Sequence, residues 1–259
     1  MNIRKRPVCP PTSKPVDRPD KKLRARCVHC LAELDSETKD HVFPTSWYPD
    51  STPADVQRWT VPSCAVCNGT LGKLEKELFV RLALCVDPRK AEASGMSKKA
   101  LRSLGIGVAD DLDEKEKKHR GALLRKVFAE VKPLRDQKLP LLPGVGLHDG
   151  FPAGDQLTIV FPTGPLEPVS QKIVRGCEFK LNGEAYVEPP LTVKTYFIHD
   201  KGAEDLTAFL DKLPATRVGP GFLVARGQAP PEEGVHVVLY RIVIWGTWKI
   251  YASIDADEH

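Results

Sequence analysis

Four cysteines and three polar residues carry the chemistry legible in this chain: Cys27-x-x-Cys30, Cys64-x-x-Cys67, Asp40-His41 between the pairs, and Asn68 directly after the last thiol. A Cys-x-x-Cys turn lets two sulfurs converge on one ion, and two such turns complete a tetrahedron. Thiolate is soft and zinc borderline-soft, so the set predicts a closed, structural Zn2+ site. Thirty-three residues separate the pairs, room for a hairpin between two knuckles. A redox role would want the strand–helix alternation of thioredoxin-like chains, which is missing here. A zinc deaminase would need His-x-Glu ahead of Pro-Cys-x-x-Cys. His29 and His41 are instead followed two residues on by Leu31 and Phe43. Asp40, His41 and Asn68 lie where the thiolate frame would gather them, a combination that suits cutting a phosphodiester backbone and not only gripping it.

The pieces CVHC, DHVFP and VPSCAVCN, followed by Lys73, resemble the HNH (His-Me finger, ββα-metal) endonucleases, in the subgroup stapled by two Cys-x-x-Cys knuckles. The resemblance covers about residues 26–80, a quarter of the chain. It implies a zinc-stapled, treble-clef-like ββα unit acting on nucleic acid, above all double-stranded DNA. In that family the residue before the histidine and the one after the last cysteine bind a catalytic divalent ion, and the histidine activates water. Carried over, Asp40 and Asn68 would hold Mg2+ or Mn2+, and His41 would be the general base. The chemistry is consistent: an imidazole with a pKa near 6.5 can take a proton from water at neutral pH. A hard cation on carboxylate and amide oxygens neutralises charge building up at phosphorus. The N-terminus of the helix carrying Asn68 offers amides that favour a nearby phosphate.

One departure stands out. The family's orienting asparagine should lie about five positions before Cys64, and Trp59 stands there. Asp50, Asp55 and Gln57 are the candidates to replace it. If none does, the same residues describe a non-catalytic zinc module that binds nucleic acid or protein.

The elements must position these groups. A strand near 39–43 carries Asp40 and His41, and strand neighbours point to opposite faces, so both serve one site only at a strand end or bulge. A long polar loop with Pro44, Trp47, Pro49 and Pro53 follows, then a strand at 59–62 enters the second knuckle. After Asn68, Leu71, Leu74, Leu78, Leu82 and Cys85 recur at helical spacing, ended by Asp87-Pro88. On that helix Lys73 and Lys76 are expected to meet phosphate and Glu75 to face solvent. His29, with four thiolates already filling the metal site, is expected at the surface or in support, not as a ligand.

Beyond it, helices are expected at 97–104 and 113–131, then a linker from Pro133 to Gly146. The last 110 residues are rich in β-branched and aromatic strand segments, interrupted by helices near 166–181 and 203–213. The fold class expected is α+β. A basic disordered arm (1–24) precedes the ββα unit (25–86), a helical segment with linker (87–140) and a C-terminal α+β domain with a mainly antiparallel sheet (141–259). That last domain shows no constellation of reactive residues, and would serve target choice or contacts with a second copy of the chain.

Residues 1–26 hold nine Lys/Arg against Asp17 and Asp20, a net +7, while the whole chain carries only +4. Such an arm adds salt-sensitive attraction for nucleic acid. No apolar run is long enough to span a membrane, and the basic N-terminus lacks the apolar core of a signal peptide. Seven cysteines, an odd number, fit a metal site plus free thiols in a reducing compartment, so the expected location is intracellular, in the cytoplasm.

Overall fold

A β-hairpin and a helix form the N-terminal part of the computed structural model, which describes residues 25–36, 38–107, 113–133, 156–196, 203–228 and 237–256. The arm expected over 1–24 and the linker from 134 onward lie outside these residues, as do positions 197–199 of one expected strand. Strands β1 (Thr38–His41) and β2 (Thr60–Ser63) pair antiparallel, with Asp40 opposite Val61 and His41 opposite Thr60. Helix α1 (Ala65–Leu84) follows at once. Cys64 caps it, its sulfur accepting from the Cys67 backbone N–H at 3.3 Å. The run Leu78 to Ala83 is buried on every side, including Arg81. That guanidinium forks onto Glu130 (2.6 and 2.7 Å) and donates to the Glu77 carbonyl at 2.6 Å, which is how a charge is tolerated there.

Helix α2 (Met96–Ser103) packs on α1, and helix α3 (Glu114–Glu130) starts where the Asp113 side chain accepts from the Glu116 N–H at 2.7 Å. Short strands β3 (Val131–Pro133) and β4 (Leu157–Ile159) pair antiparallel. Helix α4 (Thr163–Leu181) buries Val169, Ile173, Val174 and Cys177 along one stripe and packs against α1. The remaining elements are β5 (Leu191–Tyr196), α5 (Ala203–Asp211), β6 (Thr216–Gly219), β7 (Phe222–Gln228), β8 (Val238–Ile244) and β9 (Trp248–Ala256). The strands form one antiparallel sheet in the order β5-β9-β8-β7-β6. An α+β fold with an antiparallel C-terminal sheet is therefore what the chain adopts. No helix among the described residues is long and apolar enough to cross a membrane.

The loop between β1 and β2 differs from its polar expectation. Val42, Phe43, Trp47 and Tyr48 are buried in a single apolar cluster that runs on to Ile254. Phe43 stacks on Phe222 with ring centroids 4.3 Å apart, and Trp47 packs against Trp245 and Trp248 at 5.6 and 5.7 Å. Trp245 sits at positive φ (54°), followed by Gly246 (62°), and the Thr247 N–H closes the turn onto the Ile244 carbonyl at 3.1 Å. That conformation is unfavourable for a bulky residue. It is held by total burial of the ring and by an indole N–H donated to the Trp47 carbonyl at 2.6 Å.

A separate polar knot ties α4 to the sheet. Glu178, buried, accepts from Arg226 at 2.9 and 3.1 Å, from Asn182 at 2.8 Å and from the Tyr240 hydroxyl. Burial alone would push its carboxyl up, but these hydrogen bonds outweigh it and hold it low.

Helix α4 also approaches the end of β1 closely. A methyl group at Gly176 would lie 2.8 and 2.9 Å from the two Val42 γ-carbons. Val42 is β-branched and fully buried, so it cannot swing away. Gly176→Ala is therefore expected to destabilise by about 1–3 kcal/mol, the cost of overpacking a filled core. Urea unfolding measures it, and an unchanged midpoint would show that the contact is looser than described.

Candidate functional site

The first knuckle is a tight turn. The Cys27 N–H donates to the Ala32 carbonyl at 2.9 Å, Leu31 N–H returns to the Cys27 carbonyl at 2.8 Å, and Leu31 takes a positive φ of 66°. The Val28 N–H donates to the Pro62 carbonyl at 3.0 Å and so ties the knuckle to β2. The second knuckle is the junction of β2 and α1. Together they bring the four cysteine sulfurs within 4.8 Å of one another, with Cys30 and Cys64 sulfurs 3.9 Å apart. Edges of a tetrahedron with ~2.3 Å zinc–sulfur bonds are about 3.8 Å. The cluster could thus hold a metal ion such as zinc. The Cys27 thiol is pulled down to about 3, chiefly by its hydrogen bond with Cys67 and then by backbone N–H groups, whereas that same bond and burial push Cys67 up. Four thiols this close cannot all ionise without a cation to balance them. A small apolar cluster of Cys27, Leu34, Cys67 and Leu71 surrounds the sulfurs.

A second polar group forms behind the first knuckle. Asp40, only 6% exposed, accepts from His29 Nε2 at 2.9 Å on one oxygen and faces Lys172 Nζ at 3.1 Å on the other. Burial by itself raises the Asp40 pKa, but the His29 hydrogen bond and the Lys172 charge outweigh it and hold the carboxyl below its ordinary value. Asp40 is thus ionised, and His29 Nε2 carries the donated proton. Lys172 Nζ also donates to the His41 carbonyl at 2.6 Å and to Glu75. Glu75 is raised, by burial first, with the Lys172 charge opposing.

One expectation is corrected here. Glu75 does not face solvent: α1 and α4 pack together, and the carboxylate is enclosed against Lys172. Of the two places expected for His29, at the surface or in support, it takes the second: it is buried and hydrogen-bonds Asp40.

His41 is the last residue of β1 and its imidazole is half-buried, whereas the neighbouring Asp40 is buried. Its pKa is lowered, by desolvation first, with Asp40 opposing and the charges of Arg58 and Lys172 reinforcing. The ring is neutral at pH 7 and able to accept a proton. Its Nδ1 is buried with no hydrogen-bond partner among the described residues. The three candidates to orient it lie elsewhere: Asp50 pairs with Lys99 at 3.1 Å, and Asp55 and Gln57 are exposed.

Asn68 sits half-buried in the first turns of α1. It is seven residues before Glu75, about 10 Å along the helix axis toward the thiolates. Lys73 and Lys76 are exposed on α1. Arg58, whose guanidinium lies over the Tyr48 ring at 4.9 Å, is close enough to act on the His41 imidazole. Sequence reasoning missed Lys172 and Arg58. Arg58 could have been flagged as a cation next to Trp59; Lys172, 131 residues from His41, left no local signal.

A hard divalent ion does not fit Asp40 as the side chains stand. Both carboxylate oxygens are engaged, one of them by a cation, and an ion sharing that oxygen would face an ammonium nearby. No protein-family model matches this chain, and no curated protein or solved structure matches it.

Proposed function

We propose that this chain is an HNH-type endonuclease that hydrolyses phosphodiester bonds in nucleic acid, with double-stranded DNA as its substrate. One observation carries the reading: the half-buried His41 imidazole stands at the end of β1, directly after the buried carboxylate of Asp40. In this role His41 takes a proton from water as the water oxygen attacks phosphorus; the ester P–O bond to one sugar breaks, and the departing oxygen is protonated from solvent. Zinc on Cys27, Cys30, Cys64 and Cys67 fastens the hairpin to α1 and takes no part in the chemistry. Arg58, Lys73 and Lys76 offer positive charge for the nucleic-acid backbone. The resemblance also implies Mg2+ or Mn2+ on Asp40 and Asn68. Asp40, however, is already engaged by His29 and Lys172.

The test is cleavage of duplex, single-stranded and branched DNA by the parent and by His41→Ala. Loss of a general base lowers such a rate by about 10²–10⁴-fold, with the far-ultraviolet circular dichroism unchanged. A well-folded His41→Ala as active as the parent would end this reading. A second reading, a zinc-stabilised module that binds nucleic acid or protein without turnover, is favoured by one finding: among the described residues His41 Nδ1 has no hydrogen-bond partner, where the family has an orienting asparagine. It predicts salt-sensitive binding and no cleavage under any divalent ion.

A further inference from the structure

Lys172 is the most enclosed charged group near the site, with a side chain 1% exposed. An ammonium has three protons and no acceptor. Three oxygens surround it here: it donates to the His41 carbonyl at 2.6 Å and to Glu75, and pairs with Asp40 Oδ1 at 3.1 Å. These acceptors come from β1 and α1, while the donor comes from α4 in the other half of the chain. The remaining Asp40 oxygen is taken by His29. The arrangement has the form of a cation coordinated by hard oxygens, with the cation covalently part of the protein.

We infer that Lys172 is the resident cation of this site, joining Asp40 to Glu75 and fixing the end of β1, so that Asp40 positions His41 and does not hold a divalent ion. The role of His41 rests on the endonuclease reading; the identity of the cation does not. An ion bound to Asp40 Oδ1 at an oxygen–metal length of ~2.1 Å would lie within about 5 Å of the ammonium. Repulsion between +2 and +1 charges at that range is large even in a polarisable surrounding. Without Lys172, the buried Asp40 and the partly buried Glu75 would lose the cation between them, which leaves an attractive site for a divalent ion. Lys172 is thus a positioning residue, acting on the imidazole through the backbone carbonyl it holds and through Asp40.

The experiment is Mn2+ titration of the full-length protein, with the thiolate-bound metal in place, followed by electron paramagnetic resonance. The parent is expected to show no Mn2+ site that Asp40→Asn removes. Lys172→Met is expected to acquire one, more than about tenfold tighter than any in the parent, and Asp40→Asn in the same chain should abolish it. Lys172→Arg, which keeps the charge, should behave like the parent. A parent Mn2+ site lost in Asp40→Asn would overturn the inference, and this comparison decides it even if Lys172→Met fails to fold. In cleavage assays the parent rate should not depend on added Mg2+, and a strict Mg2+ requirement that Asp40→Asn abolishes would also overturn it. Absence of cleavage in every condition would defeat the endonuclease reading alone and leave the Mn2+ result to stand or fall by itself.

Discussion

Cys64→Ser combined with Cys67→Ser is expected to strip the bound metal and to lower the thermal midpoint by about 10–20 °C. That corresponds to a loss of roughly 5 kcal/mol at ~2–4 °C per kcal/mol for a chain of this size. Metal binding to four thiolates is folding energy, since the site exists only when the two knuckles meet. The effect should stay below the ~10–16 kcal/mol seen when zinc is all that holds a small finger together. Here the Val28–Pro62 backbone bond and the large apolar cluster behind it persist without the ion. The small cluster of Cys27, Leu34, Cys67 and Leu71 depends on the sulfurs directly. Its region should lose protection from amide exchange first, while the sheet β5-β9-β8-β7-β6 keeps its circular dichroism. Elemental analysis gives the metal content. An unchanged zinc equivalent in the double variant would show that these sulfurs are not the ligands.

Trp47→Ala is the second large effect, about 3–5 kcal/mol for deleting a buried tryptophan. The ring is fully buried between Trp245 and Trp248. Its backbone carbonyl also receives the Trp245 indole N–H, the bond that helps hold Trp245 at positive φ. Collapse of the cavity would shift this carbonyl and release the turn between β8 and β9. The loop docked by Trp47 begins at Val42, next to His41, so on the endonuclease reading cleavage should fall along with stability. Trp47→Phe, which keeps most of the apolar volume, should recover much of both. Equilibrium unfolding in urea measures the loss, and a decrease under about 1 kcal/mol would mean that the loop is not anchored by this ring.

Both results depend on contacts that differ in how visible they were beforehand. The thiolate cluster was legible because Cys-x-x-Cys spacing acts within single turns and needs only that two turns meet. The helices were legible for similar reasons: Asp113 caps α3, and the leucines from Leu71 onward recur at helical spacing. The strand carrying Asp40 and His41 was legible too, and it ends at His41. The β1–β2 loop was misread because its prolines and polar residues hid Phe43, Trp47 and Tyr48, whose partners lie some 170–200 residues further on. Strand β3 (Val131–Pro133) was missed because its residues fell where a helix was expected to end and a linker to begin.

By itself the sequence determined the local chemistry: four thiols at ligand spacing, an imidazole beside a carboxylate, and helices and strands of recognisable period. These follow from dihedral geometry and side-chain type, which act over a few residues. Only the tertiary structure decided what Asp40 and Glu75 face. Lys172 reaches them because α4 packs on α1 and its Gly176 lets it close on Val42. That approach is driven by apolar burial, which is non-directional and leaves no local pattern, so the ammonium follows the helix it stands on.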